Sequence, residues 1–152
     1  NNSIYGMTSG QYSPMTPKGA FATTAPYGSI DRDFDLCKLA QASGATYVAR
    51  ETVYHVPQLI KLIEKALMHK GFSLIDVVDI CPTYFGRRNK MGTAVAMMEK
   101  IRDMSVTAKA AAKMSPEELA GKIIIGEFYE EKAPEYTEEY ARIIEQAQQR
   151  GI

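Results

Sequence analysis

The run Gly71-Phe72-Ser73-Leu74-Ile75-Asp76-Val77-Val78-Asp79-Ile80-Cys81-Pro82-Thr83 decides the fold. Leu74, Ile75, Val77, Val78 and Ile80 make it nearly continuously apolar, which predicts a strand covered on both faces, as in a parallel sheet. Upstream, Pro57 opens a helix at its first turn. Leu59, Ile60, Ile63, Ala66 and Leu67 form its buried stripe, and Gly71 ends it. Before that helix, Thr46-Tyr47-Val48-Ala49 reads as a short strand. Residues 46–80 therefore predict strand–helix–strand with a right-handed crossover. The fold class that follows is α/β, a parallel sheet flanked by helices. Cys81-Pro82-Thr83 then falls at the C-terminal end of a strand, the edge where ligand and catalytic groups gather in open α/β sheets.

The remaining segments fit around this unit. Residues 33–43 read as a helix, with Gly44 suited to its C-terminal cap. Residues 94–104 read as another, and Ser115-Pro116 marks a helix start. Ile123-Ile124-Ile125 is a short buried strand, and residues 137–150 form an amphipathic terminal helix. Residues 6–30 hold Gly6, Gly10, Gly19, Gly28, Pro14, Pro17 and Pro26 with no apolar period, and so predict a long loop. Loops beyond about 12–15 residues without structure of their own are usually functional or disordered. The Tyr and Phe content here argues against disorder.

The 152 residues suffice for one domain with a core. Eighteen basic and eighteen acidic side chains cancel, so no global charge favours nucleic acid or a membrane surface. No stretch approaches the roughly 20 apolar residues of a membrane span. Cys37 and Cys81 make no disulfide framework, so a reducing, cytoplasmic location is expected.

A few residues carry possible chemistry. A magnesium ion holding a diphosphate wants near-octahedral oxygen ligands. The Asn2 side chain and the Ile4 carbonyl can reach one ion if the chain wraps round it, and Gly6 removes a side chain where backbone must meet phosphate. Read alone, an Asn in a turn is the simpler account. Cys81 is either a buried small hydrophobe or a thiolate ligand, and one Cys cannot hold a cluster that needs four. Cys37, inside a helix, reads as packing. Arg87-Arg88-Asn89-Lys90 suits a phosphate, a carboxylate or an acidic partner, or is a solvated loop. His55 and His69 form no ligand pair, and there is no Ser-His-Asp set or GxxxxGK loop. No catalytic residue is identified.

Together these segments resemble the β subunit of 2-oxoacid:ferredoxin oxidoreductases, closest to the 2-oxoglutarate branch. The words that carry the resemblance are Asn1-Asn2-Ser3-Ile4-Tyr5-Gly6-Met7-Thr8-Ser9-Gly10-Gln11, Ser13-Pro14-Met15-Thr16-Pro17-Lys18-Gly19, Gly44-Ala45-Thr46-Tyr47-Val48-Ala49-Arg50, Lys70-Gly71-Phe72-Ser73 and Cys81-Pro82-Thr83-Tyr84-Phe85-Gly86-Arg87-Arg88-Asn89. It is dense over residues 1–93 and looser beyond. The resemblance implies part of a thiamine diphosphate-binding fold. Residues 1–152 would be the C-terminal part of a single domain, with 105–152 as a C-terminal extension. It implies a subunit of an enzyme that oxidatively decarboxylates a 2-oxoacid, 2-oxoglutarate above all, to an acyl-CoA with ferredoxin as electron acceptor. The implied cofactors are thiamine diphosphate, Mg2+ and a 4Fe-4S cluster.

Carried over residue by residue, Asn2 gives its side chain and Ile4 its carbonyl to magnesium, Gly6 and Met7 line the diphosphate, and Cys81 ligates the cluster. The family's motif runs from a Gly-Asp-Gly to an Asn-Asn pair. The magnesium-binding Asp and the other cluster cysteines are therefore expected outside these residues, which alone should be inactive. The implied partners are an α subunit, ferredoxin, the 2-oxoacid and coenzyme A, with neither nucleic acid nor membrane. Residues 6–30 would cover the cofactor as a lid. Ser9 stands where the family usually has Gly and Met15 where it usually has Thr; Ser9 adds a side chain near the cofactor loop, and neither change removes a ligand. Two alternatives differ in chemistry. Another thiamine diphosphate-dependent decarboxylase or synthase has no need of Cys81 as a ligand, and in a non-catalytic interaction domain residues 1–11 match by chance.

Overall fold

The computed structural model describes residues 1–151. A short antiparallel hairpin, β1 (Ile4–Tyr5) and β2 (Gln11–Tyr12), opens the chain. Then come α1 (Leu36–Ala42), β3 (Tyr47–Thr52), α2 (Val56–Met68) and β4 (Ser73–Val78). A single wide turn of π-helix spans Pro82–Gly86. The chain continues with α3 (Ala94–Met104), β5 (Ser105–Thr107), α4 (Ala108–Ala111), α5 (Pro116–Leu119), β6 (Ile123–Glu130) and α6 (Tyr136–Arg150).

The strand–helix–strand unit forms as its sequence predicts. β3 and β4 pair in parallel, from Tyr47 opposite Ser73 to Thr52 opposite Val78. Strand side chains alternate between faces. Val48 packs with Cys37, Ala40 and Ala45 on the α1 face, whereas Tyr47 and Ala49 pack with Leu62 on the α2 face. Covering both faces is what the near-continuous apolar run requires. α1 starts later than the apolar pattern suggests, because Asp35 caps it by accepting from Cys37 N at 3.2 Å. Gly71 is obligatory: at φ +126°, a Cβ there would lie 2.2 Å from Thr46 Oγ1.

The sheet is mixed, in the order β4-β3-β6-β5. β5 and β6 are also parallel, but β6 runs antiparallel to β3, with a bulge at Val48/Ala49. The strand expected at Ile123-Ile124-Ile125 extends to Glu130, and segment 105–152 thus adds β5 and β6 to the sheet. The orientation of β6 departs from the all-parallel expectation. An apolar run such as Ile123-Ile124-Ile125 has no period that tells one strand direction from the other. α5 carries the expected cap as a full capping box between Ser115 and Glu118.

Candidate functional site

The Asn1-Asn2 pair lies along the end of β4. Asn1 N donates to Val77 O at 2.7 Å, and Asp79 N donates to Asn1 O at 2.9 Å, the bonding pattern of a parallel ladder. Ser3 then adopts φ +63°, a left-handed conformation uncommon outside glycine. That bend wraps the chain and leaves Asn2 Oδ1 3.4 Å from Ile4 N, and Thr16 holds it by donating from Oγ1 to Ser3 O at 2.6 Å. Ile4 is buried, and its carbonyl accepts from Gly6 N at 3.0 Å with a second lone pair to spare.

Gly6 joins the two ends of the site. A Cβ at Gly6 would sit 3.3 Å from Cys81 Sγ and 3.4 Å from Asn2 Nδ2. Contacts that close give little room for a larger side chain, so glycine suits the close approach of these segments. Cys81 is buried against Ile4 and Ala22, and its carbonyl accepts from Gly86 N at 2.8 Å as the wide turn begins. Gly10 lies flat on that same turn, where a Cβ would come within 2.8 Å of the Tyr84 ring. The structure therefore gathers Asn2, Ile4, Gly6 and Cys81, residues the sequence places up to 79 positions apart. The Met7 side chain is fully exposed, which leaves its backbone as the part nearest the site. A cavity of about 520 Å3 borders Asn2 and Cys81, lined also by Ser3, Arg50, Asp76 and Met97 among others.

One charged cluster in this wall has no counterpart in the sequence reading. Arg50 donates from Nε to Asp76 Oδ2 and from Nη2 to Asp35 Oδ1, both at 2.7 Å, and stacks 5.5 Å from the Phe128 ring centre. Asp76 is buried, and its Oδ1 has no hydrogen-bond partner among the described residues. Asn1 Nδ2 lies 3.5 Å from Asp76 Oδ2, which ties the cluster to the Asn1-Asn2 segment. Burial pulls the Asp35 carboxyl upward, but the Arg50 hydrogen bond and charge outweigh it and hold it below the usual carboxylate value. The available signal was parity: Arg50 and Asp76 sit on the α1 face of adjacent strands, directly opposite each other.

The other candidates separate. Cys37 Sγ lies 3.7 Å from Ala49 O on the α1 face, and burial pushes its thiol up to about 12, so it is a neutral packing residue. His55 bonds Thr52 and His69 bonds Thr46, at opposite ends of α2. Arg87, Arg88 and Lys90 are exposed. The residues present fit a share of each inferred group. Asn2 and Ile4 offer two oxygens on one tight bend, and Cys81 packs against Ile4. Among the described residues no set of three or more His, Cys, Asp and Glu is placed to hold a metal ion, so either group would need ligands besides these.

Residues 1–77 match the family described as thiamine pyrophosphate enzyme, C-terminal TPP binding domain, and the chain belongs to that family. Within it, the chain is a homologue of subunit KorB of 2-oxoglutarate synthase. It is 51% identical to that subunit from Methanothermobacter marburgensis over 146 residues, covering 96% of this chain and 51% of the relative. The Methanocaldococcus jannaschii subunit is 52% identical over 145 residues, covering 95% and 54%. A solved structure, 2-oxoglutarate:ferredoxin oxidoreductase from Magnetococcus marinus with 2-oxoglutarate, coenzyme A and succinyl-CoA bound, superposes with a TM-score of 0.77 at 28% identity. That match covers 97% of this chain and 50% of the other. The chain spans about half the length of the curated relatives it matches. A family match that runs through residues 1–11 and on to residue 77 removes the chance-match reading of the opening segment.

Proposed function

We propose that this chain supplies part of the thiamine diphosphate site, and one cluster ligand, of an enzyme that oxidatively decarboxylates 2-oxoglutarate to its acyl-CoA and passes the electrons to ferredoxin. The observation that carries this reading is the place of Gly6, where a Cβ would come within 3.3 Å of Cys81 Sγ and 3.4 Å of Asn2 Nδ2. A non-oxidative thiamine enzyme has no use for a sulfur beside its magnesium-binding asparagine. The names of the relatives point to the same substrate and acceptor.

When bound, thiamine diphosphate supplies the carbanion chemistry, and the protein orients it and excludes water. Asn2 Oδ1 and the Ile4 carbonyl would serve as two oxygen ligands of Mg2+, held together by the bend at Ser3. Gly6 and the Met7 backbone would line the diphosphate. Cys81 would give one thiolate to a 4Fe-4S cluster, with its other ligands outside these residues. Arg50 and Asp76 would stiffen the wall behind Asn1. An α subunit and coenzyme A complete the expected assembly, and a cluster of this kind suits the reducing cytoplasm.

The test is turnover by the intact complex supplied with 2-oxoglutarate, coenzyme A and oxidised ferredoxin. The expected products are succinyl-CoA, carbon dioxide and reduced ferredoxin. Release of the aldehyde with ferredoxin left oxidised would identify a non-oxidative decarboxylase instead.

A further inference from the structure

The run Arg87-Arg88-Asn89-Lys90 takes no part in the site above, yet the structure fixes it firmly. The Asn89 side chain acts as a clamp through three hydrogen bonds. Its Oδ1 accepts from Phe21 N at 2.8 Å, and its Nδ2 donates to Phe21 O at 3.0 Å and to Phe85 O at 2.9 Å. Two segments are thereby joined into one face. Neither contributes a carboxylate: residues 1–30 and residues 80–98 contain no Asp or Glu, although the chain as a whole is neutral. Arg87, Arg88, Lys90 and Lys18 are exposed, and none enters an ion pair among the described residues. Lys18 is three residues from Phe21 and so no more than about 11 Å from it along the chain. Phe21 itself, at the clamp, is 44% exposed.

This face also adjoins Cys81. One wide turn, Pro82–Gly86, separates that sulfur's residue from Arg87, a rise of about 9 Å at helical spacing. The four cations do not line the cavity at Asn2 and Cys81, so they are no part of an enclosed small-ligand site there. A half-exposed aromatic among arginines is the composition of a protein interface.

We propose that Lys18, Arg87, Arg88 and Lys90, around Phe21, form the docking surface for an acidic protein that carries a one-electron iron–sulfur centre. The proposal rests on the oxidoreductase reading above. Each docking moves one electron from the enzyme to the oxidised carrier, so the enzyme is oxidised and the carrier reduced by one electron. The electron pair released per 2-oxoacid therefore needs two successive dockings. Opposite charge steers the encounter and is screened by salt.

The test uses the intact complex and measures carrier binding by titration calorimetry with oxidised ferredoxin over a salt series. Three forms are compared: wild type, the double variant Arg87→Glu with Arg88→Glu, and Lys113→Glu, which reverses an exposed lysine outside both segments. Iron content, partner-subunit retention and 2-oxoacid-dependent reduction of a small dye are recorded alongside. The double variant should keep all three and bind ferredoxin about tenfold more weakly at low salt, with a flatter salt dependence. Lys113→Glu should match wild type. If the double variant does not fold, Lys90→Glu and Lys18→Glu singly should each weaken binding by about threefold. Unchanged ferredoxin binding in the reversed variants overturns the proposal. So does loss of the partner subunit, or a raised KM for 2-oxoacid or coenzyme A with ferredoxin binding intact. Wild-type complex without iron overturns the underlying reading and takes the proposal with it, an outcome distinct from iron present with binding unchanged.

Discussion

Ser9 adopts φ +88°, a conformation that L side chains rarely take, and its carbonyl is held there by the Thr23 hydroxyl at 2.6 Å. The departure from the family's usual glycine is therefore borne as backbone strain. Ser9→Gly should raise stability by about 1 kcal/mol and lift the thermal midpoint, whereas Ser9→Ala should give no gain. At this scale the sequence was readable where chemistry is local. Asn2, Ile4, Gly6 and Cys81 were all named from the chain, and the structure brings them together. Arg50, Asp35 and Asp76 were not. Their bonds join residues 15 and 26 apart, and no spacing rule reports an ion pair between separate elements.

Among elements, α1, α2, α3, α6, the start of α5 and the β3–β4 pair were legible because periodicity and caps are written into short windows, whereas α4 and β5 were not. The wide turn Pro82–Gly86 was not, since Pro82-Thr83-Tyr84-Phe85-Gly86 carries no apolar period or cap that marks a helical turn. The lid segment was expected as irregular chain, and much of its order comes from distant partners. Gly10 packs under Tyr84, and Asn89 grips Phe21 on both sides of its peptide. Asn89→Ala removes three hydrogen bonds, leaves Phe21 N without its acceptor, and should destabilise the protein by about 1–3 kcal/mol. Amide exchange should show the loss at Phe21 and the neighbouring lid amides, with β3 and β4 unaffected.

At the scale of the molecule, one sheet carries the site at the end of β4 and is covered on both faces, with Cys37 under α1 and Tyr47 under α2. Burial pushes both groups up to about 12, from 9.0 for Cys37 and 10.0 for Tyr47. Each is an acid whose folded value exceeds its unfolded one, so the folded state keeps protons that the unfolded state releases. Their contribution is complete below pH 9.0 and is lost as pH rises toward 12, so the thermal midpoint should fall across that window. Cys37→Ala should remove the earliest part of the fall. The α/β class and the crossover unit followed from sequence; the direction of β6 did not, because a short apolar run such as Ile123-Ile124-Ile125 looks the same read either way.

That Cys81 ligates a cluster beside the cavity it lines with Asn2 is tested by iron analysis of the intact complex. This role predicts iron in the wild-type complex and its loss in Cys81→Ala, with the subunits still assembled. Iron retained undiminished in Cys81→Ala would contradict it.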